Sequence, residues 1–209
     1  MTLADWQDAL ARRVMGGDAA AIPLSAGLVA TAKVRRSWCE ARAAKAARLT
    51  LSVLPGDLRT QLIARWVNQG GGAGAFHTLE AEAFLPFIAG HLTDPSHELT
   101  VCHLEAALAR ATAAKAAFAP PQAADPAARL RHGAGASLLL FTAEPQALLA
   151  AVLGQGPAPP LSDARYPMLA APGVPGLLRG ADPAEVAAWR GLSGPADVLS
   201  RLLAQGVLQ

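Results

Sequence analysis

The chain has 209 residues, 52% hydrophobic and 16% charged, with 18 basic and 16 acidic side chains for a formal charge of +2. So small an excess excludes a nucleic-acid coat over the whole surface, and electrostatic recognition has to be local. The length suits two small domains, with compact alanine-rich cores because alanine favours helices and fills little volume.

Cys39 and Cys102 sit singly in helical patterns, away from the short paired spacings of metal ribbons and disulfide scaffolds. A reducing, cytoplasmic setting is expected. Asp5 and Asp8 fall where a secretory signal would carry positive charge. The apolar runs are interrupted well short of the roughly 20 residues of a membrane span, so no transmembrane segment is expected.

In chain order, Thr2 can cap a first helix carrying Leu3, Trp6, Leu10 and Val14 at helical spacing, ended by Gly16 and Gly17. A second long helix is predicted from about 31 to 54 through Val34, Trp38, Cys39, Leu49 and Val53, stopped by Pro55 and Gly56. Asp57 should cap a third with Leu58, Leu62 and Trp66 at steps of four, and the glycine-rich run at 70–74 reads as a loop. Leu79, Ala83, Phe87 and Ile88 give another apolar face, with a kink or break predicted at Pro86. Asp94 and Pro95 read as cap and first-turn proline of a helix reaching about Phe118.

Residues 119–128 are rich in proline and alanine without an apolar period, and read as a semi-rigid linker between domains 1–118 and 129–209. Beyond it, 137–142 reads as a buried strand and 144–153 as a helix, while 166–171 and 174–179 read as extended segments about Pro172 and Gly173. Asp182, Pro183 and Glu185 form a helix start, and a last helix is predicted at 196–205. The implied fold class is α+β: an N-terminal helical bundle, then a small mixed winged-helix-like domain with a short antiparallel sheet.

His91, Asp94, His97, Glu98, Cys102 and His103 are residue types that bind metal, but on one helix they point in different directions and only Glu98 and Cys102 share a face. Capping and ordinary polar roles explain them better, so neither a metal site nor a cofactor is expected in this chain. No nucleophile elbow or phosphate loop is present, and adjacent Cys102 and His103 cannot form a dyad on a helix, so no catalytic residue is assigned. The main local charge is Lys33, Arg35, Arg36, Arg42, Lys45 and Arg48 against the single acid Glu40. A solvated helix face is the commonest cause of such a run, and an acidic partner surface is the functional one, with Arg35, Arg42 and Lys45 as candidate interface residues.

A small sheet has edges whose free N–H and C=O groups accept an extended peptide as an added strand. Leu138 and Leu140 on the 137–142 strand are candidate peptide-binding residues, with Leu178 and Trp189 as candidate walls of a side-chain pocket beside the 183–190 helix. Simple core roles are the bland alternative for these side chains.

The order Leu3-x-x-Trp6-Gln7-x-x-Leu10, Arg36-Ser37-Trp38-Cys39-Glu40-x-Arg42, Phe84-Leu85-Pro86-Phe87, then Val101-Cys102-His103-Leu104-Glu105-Ala106-Ala107-Leu108, resembles a family of partner proteins once labelled DNA-binding. Its members accompany TIM-barrel multinuclear iron enzymes that modify cysteines of ribosomally made peptides. The stretch Gly90-His91-Leu92-Thr93-Asp94-Pro95-Ser96-His97-Glu98 is similar to its methanobactin-biosynthesis branch, and 167–176 matches more loosely. The resemblance implies a heterodimer with an MbnB-like iron enzyme that converts cysteines of an MbnA-like precursor to oxazolone and thioamide groups, which later bind copper. It places the iron in the partner and makes this chain no enzyme on its own, but the subunit that holds the precursor leader and completes the cleft. A partner subunit of a related iron enzyme acting on another peptide is the near alternative. A helix-turn-helix DNA regulator over 182–205 is the distant one, with Arg201 as the only basic residue of its second helix, too few for several phosphates. Neither membrane nor nucleic acid is an expected partner.

Overall fold

The computed structural model describes residues 2–14, 23, 25–73, 80–120 and 129–209, which fall into two compact units, Met1–Ile88 and Ala89–Gln209. The α+β expectation is met by helices together with a three-stranded antiparallel sheet. The units divide at 88/89 instead of at 119–128, and of that proposed linker 121–128 lies outside the described residues.

In the first unit, α1 (Leu3–Val14) opens on the predicted cap: Thr2 Oγ1 accepts from the Asp5 amide at 3.1 Å, and the Asp5 carboxylate accepts from the Thr2 amide at 2.7 Å. The Thr2 backbone and hydroxyl bonds hold the Asp5 carboxyl below its usual pKa. α2 (Ala26–Ala46) starts earlier than expected because Ser25 caps it, its Oγ accepting from the Leu28 amide at 3.2 Å. The predicted single helix then breaks at Ala47, whose φ of −126° leaves the helical region, and α3 (Arg48–Val53) restarts. α4 (Gly56–Asn68) begins straight after Pro55, so Asp57 sits inside the first turn instead of capping it.

α5 (Glu80–Ala89) runs unbroken through Pro86, where a kink or break was expected. Phe84, Leu85 and Ile88 are fully buried, and the Trp66 ring centroid lies 5.4 Å from Phe84 and 5.1 Å from Phe87. Burial of three large side chains, at about 2 kcal/mol each, outweighs the one backbone bond that proline removes. Glu80 ties this corner together. Its Oε1 accepts from Trp66 Nε1 at 2.6 Å and from the Gly72 amide at 2.8 Å, and its Oε2 lies 3.5 Å from Arg42 Nη2.

The start of the glycine run is packed, not free. Gly72 has φ +75°, and a Cβ there would come within 2.7 to 2.9 Å of Cys39, backbone included. Gly72→Ala is expected to destabilise the first unit by about 2 to 4 kcal/mol, from left-handed strain plus a clash with main chain that cannot turn aside. Thermal unfolding of the variant checks this, and an unchanged melting temperature would contradict the packing.

In the second unit, α6 (His97–Lys115) is capped by Ser96, whose Oγ accepts from the Leu99 amide at 3.1 Å. Asp94 and Pro95, joined by a cis peptide, therefore precede the helix and do not open it. β1 (Ser137–Phe141), β2 (Tyr166–Ala170) and β3 (Leu178–Gly180) pair in the order β1-β2-β3, with Leu138 opposite Leu169 and Leu169 opposite Arg179. α7 (Pro145–Val152), capped by the Glu144 carboxylate, links β1 to β2, and a 3-10 turn at Pro175–Leu177 leads into β3. α8 (Pro183–Gly191) and α9 (Ala196–Ala204) follow.

Strand alternation splits the core into two layers. Leu139, Phe141, Met168 and Ala170 pack with Leu104 and Ala107 of α6 and Leu148 of α7. Leu169 packs on the other side with Ala188, Val198 and Leu202 of α8 and α9. α6 thus covers one face of the sheet, which is why it belongs to the second unit and not to a bundle ending at 118. The C-terminus is tied in by reciprocal backbone bonds between Arg131 and Gln209, at 2.8 and 2.9 Å. Among the described residues no helix is long and apolar enough to cross a membrane.

Candidate peptide-binding site

β2 is central, so the 166–170 segment offers no edge, and only the outer sides of β1 and β3 lack a partner strand among the described residues. Hydrogen-bond phase decides what these edges present. The Pro167 carbonyl accepts from the Ala181 amide at 2.9 Å and the Ala171 amide donates to Leu177 O at 3.2 Å, so odd-numbered residues of β2 turn their polar groups toward β3. Met168 and Ala170 then turn toward β1 and bond Leu139 and Ser137, the residues opposite them. By the same alternation, Leu138 and Leu140 turn their N–H and C=O groups outward. Thr142, next in phase, already has its carbonyl taken by the Ser162 amide at 2.7 Å, which closes the edge beyond Leu140.

β1 therefore presents a short docking edge of two donors and two acceptors. Leu140, 45% exposed, lies on it, and Leu138 is half-buried against the α8 and α9 layer. β3 is the poorer edge. It spans three residues, and the carbonyl of Gly180 already accepts from Arg179 Nη1 at 2.7 Å.

Leu178 and Trp189 were expected to wall one pocket, and they do not. Leu178 packs with the α6 and α7 layer and Trp189 with the α8 and α9 layer, because strand parity sends Leu178 to the face opposite Arg179. Trp189 instead stacks on His132 with ring centroids 4.0 Å apart, while His132 Nε2 donates to the Trp189 carbonyl at 2.9 Å.

The layer beneath Leu138 is held by a carboxylate that sequence reasoning read only as a capping residue. Glu185, 1% exposed, completes the predicted capping box with Asp182 and also receives both Arg179 Nη atoms at 2.7 Å and Arg201 Nε at 2.9 Å. Burial by itself pushes its pKa up. The bonds from Arg179, the Asp182 backbone and Arg201 outweigh that and bring it down from 4.5 to about 2. No local spacing announces this cluster, since Arg179, Glu185 and Arg201 lie on three different elements.

Of the basic run, Arg36 pairs with Glu40 at 2.8 Å and Arg42 with Glu80 at 3.5 Å. Arg35 is half-buried and Lys45 exposed, and neither forms an ion pair among the described residues. The residues at 91–103 take separate roles. His97 Nε2 donates to the Pro159 carbonyl at 2.7 Å and its Nδ1 lies 3.3 Å from Thr142 Oγ1, Cys102 is buried, and His103 is on the outer side of α6. Among the described residues, no three His, Cys, Asp or Glu side chains are grouped so as to hold a metal ion.

No family model, curated protein or solved structure matches this chain.

Proposed function

We propose that the chain is the non-catalytic subunit of a heterodimeric iron-dependent oxidase complex that converts cysteines of a ribosomally made precursor peptide to oxazolone and thioamide groups. The observation that carries this is the β1 edge, where Leu138 and Leu140 offer two N–H and two C=O groups to an extended segment. At about 1 kcal/mol net per hydrogen bond, such an edge gives an affinity that is modest and largely independent of side-chain identity. That suits a leader peptide, which has to be held and then released. An apolar leader side chain lying across from Leu140 adds contact on the same face of the sheet.

In this account the TIM-barrel partner binds the iron and supplies the oxygen chemistry. This chain contributes binding and orientation, and holding a reacting segment in place can itself lower a barrier by several kcal/mol. The basic stretch of α2 and α3, with Arg35, Arg42 and Lys45, faces the partner. The resemblance to the methanobactin branch supports copper chelation as the fate of the product. The DNA-regulator alternative gains nothing from the fold, because Arg201 is engaged by Glu185 at 2.9 Å and by Asp182 at 3.1 Å.

Co-expression with the iron enzyme and the precursor tests the proposal. The expected result is co-elution of the two subunits on size exclusion and a precursor mass change that requires both. Equal modification by the enzyme without this chain would contradict it.

A further inference from the structure

The exposed side of α2 combines features that a solvated helix face does not need. Ala30, Val34 and Trp38 recur at i, i+4 and i+8, and Val34 and Trp38 are 62% and 55% exposed. With Gly72 and Ala73 they line a groove of about 580 Å³, and Arg35 and Arg42 stand in its wall. The groove is built in part by glycine, since a Cβ on Gly72 would collide with Cys39.

Its charge is unbalanced. Glu40 is used by Arg36 and Glu80 is shared by Trp66, Gly72 and Arg42. Among the described residues Arg35 has neither, and its Nη2 is shielded from water without an acceptor. A guanidinium nitrogen in that state gains free energy when a carboxylate is brought within reach, and a long side chain can turn to meet it. Tryptophan and arginine together at the centre of an apolar slot are the side chains that most often dominate protein interfaces.

From this we infer that the α2 groove receives an acidic, apolar segment of a protein partner, with an apolar side chain seated between Val34 and Trp38 and a carboxylate on Arg35. The choice of occupant follows from charge complementarity and the concave apolar floor. Duplex nucleic acid would need a basic surface without such a slot, and Trp38 is the one aromatic on this helix. The inference deepens the partner-subunit proposal and rests on it, assigning the iron enzyme's contact to this groove.

The test titrates the full chain against the iron enzyme, using Arg35→Glu and, separately, Trp38→Ala, with melting curves as fold controls. Each substitution is expected to weaken the complex tenfold or more, Arg35→Glu most strongly at low salt. If Arg35→Glu lowers the melting temperature, Trp38→Ala, which removes a ring more than half exposed, decides the matter. A parent complex untouched by the substitutions overturns this inference and leaves the partner reading standing. Absence of any complex with the parent chain overturns both. An intact complex accompanied by loss of self-association, or of salt-sensitive duplex binding, in Arg35→Glu assigns the groove to a second copy or to nucleic acid and overturns the inference as well.

Discussion

Replacing Glu185 by glutamine is expected to cost the second unit about 3 kcal/mol at neutral pH, a loss that shrinks toward zero as the pH falls to about 2. The carboxylate is 1% exposed and accepts both Nη atoms of Arg179, Nε of Arg201 and the Asp182 amide. An amide in its place turns a donor toward one arginine and leaves the cations short of negative charge in a buried setting. The pH dependence follows from the depressed pKa. Glu185 is ionised in the folded chain down to about 2 but has the ordinary 4.5 when unfolded. Its contribution is therefore fully present above about 4.5 and is lost as the pH falls through the folded value. Urea unfolding of both proteins at neutral pH and at steps between about 4.5 and 2 checks this. A gap that stays constant with pH would contradict the assignment.

Leu140→Pro is expected to weaken leader binding by about 30- to 100-fold, or roughly 2 to 3 kcal/mol, while leaving the fold nearly intact. Proline removes the outward N–H and sets a ring against the approaching backbone. The Leu140 amide points away from β2, so the ladder to Pro167 loses no bond, and proline is tolerated at outward positions of edge strands. Leu139→Pro removes a donor that faces Met168 and should instead unfold the sheet. The contrast between adjacent positions separates loss of docking from loss of structure. Fluorescence anisotropy of a labelled leader peptide, with circular dichroism on each variant, measures both.

Much of the local structure was legible because its causes are local. The Thr2 cap, the Asp182 and Glu185 capping box and the apolar strand at 137–142 each depend on residues within a turn of one another. Pro86 misled because its cost is local and its compensation, the packing of Phe84 and Phe87 on Trp66, is not. α6 was assigned to the wrong unit for a similar reason. The proline-rich stretch after it marks a change in chain character but carries no information on what Leu104 and Ala107 pack against.

The candidate site was half legible. Leu138 and Leu140 could be named from the strand pattern, but that their polar groups turn outward depends on hydrogen-bond phase in β2. The pairing of Leu178 with Trp189 failed because β3 had to be registered on β2 before its faces could be told apart. Glu80 and Glu185 carried no signal beyond a helix N-terminus, since their partners come from elements distant in sequence.

The most direct test of the central claim is residue-resolved amide hydrogen exchange with and without the leader peptide. Strand addition to β1 predicts new protection at Leu138 and Leu140 and no change at Leu139 and Phe141, whose amides already face β2. Unchanged exchange at Leu138 and Leu140 in the bound state would contradict it.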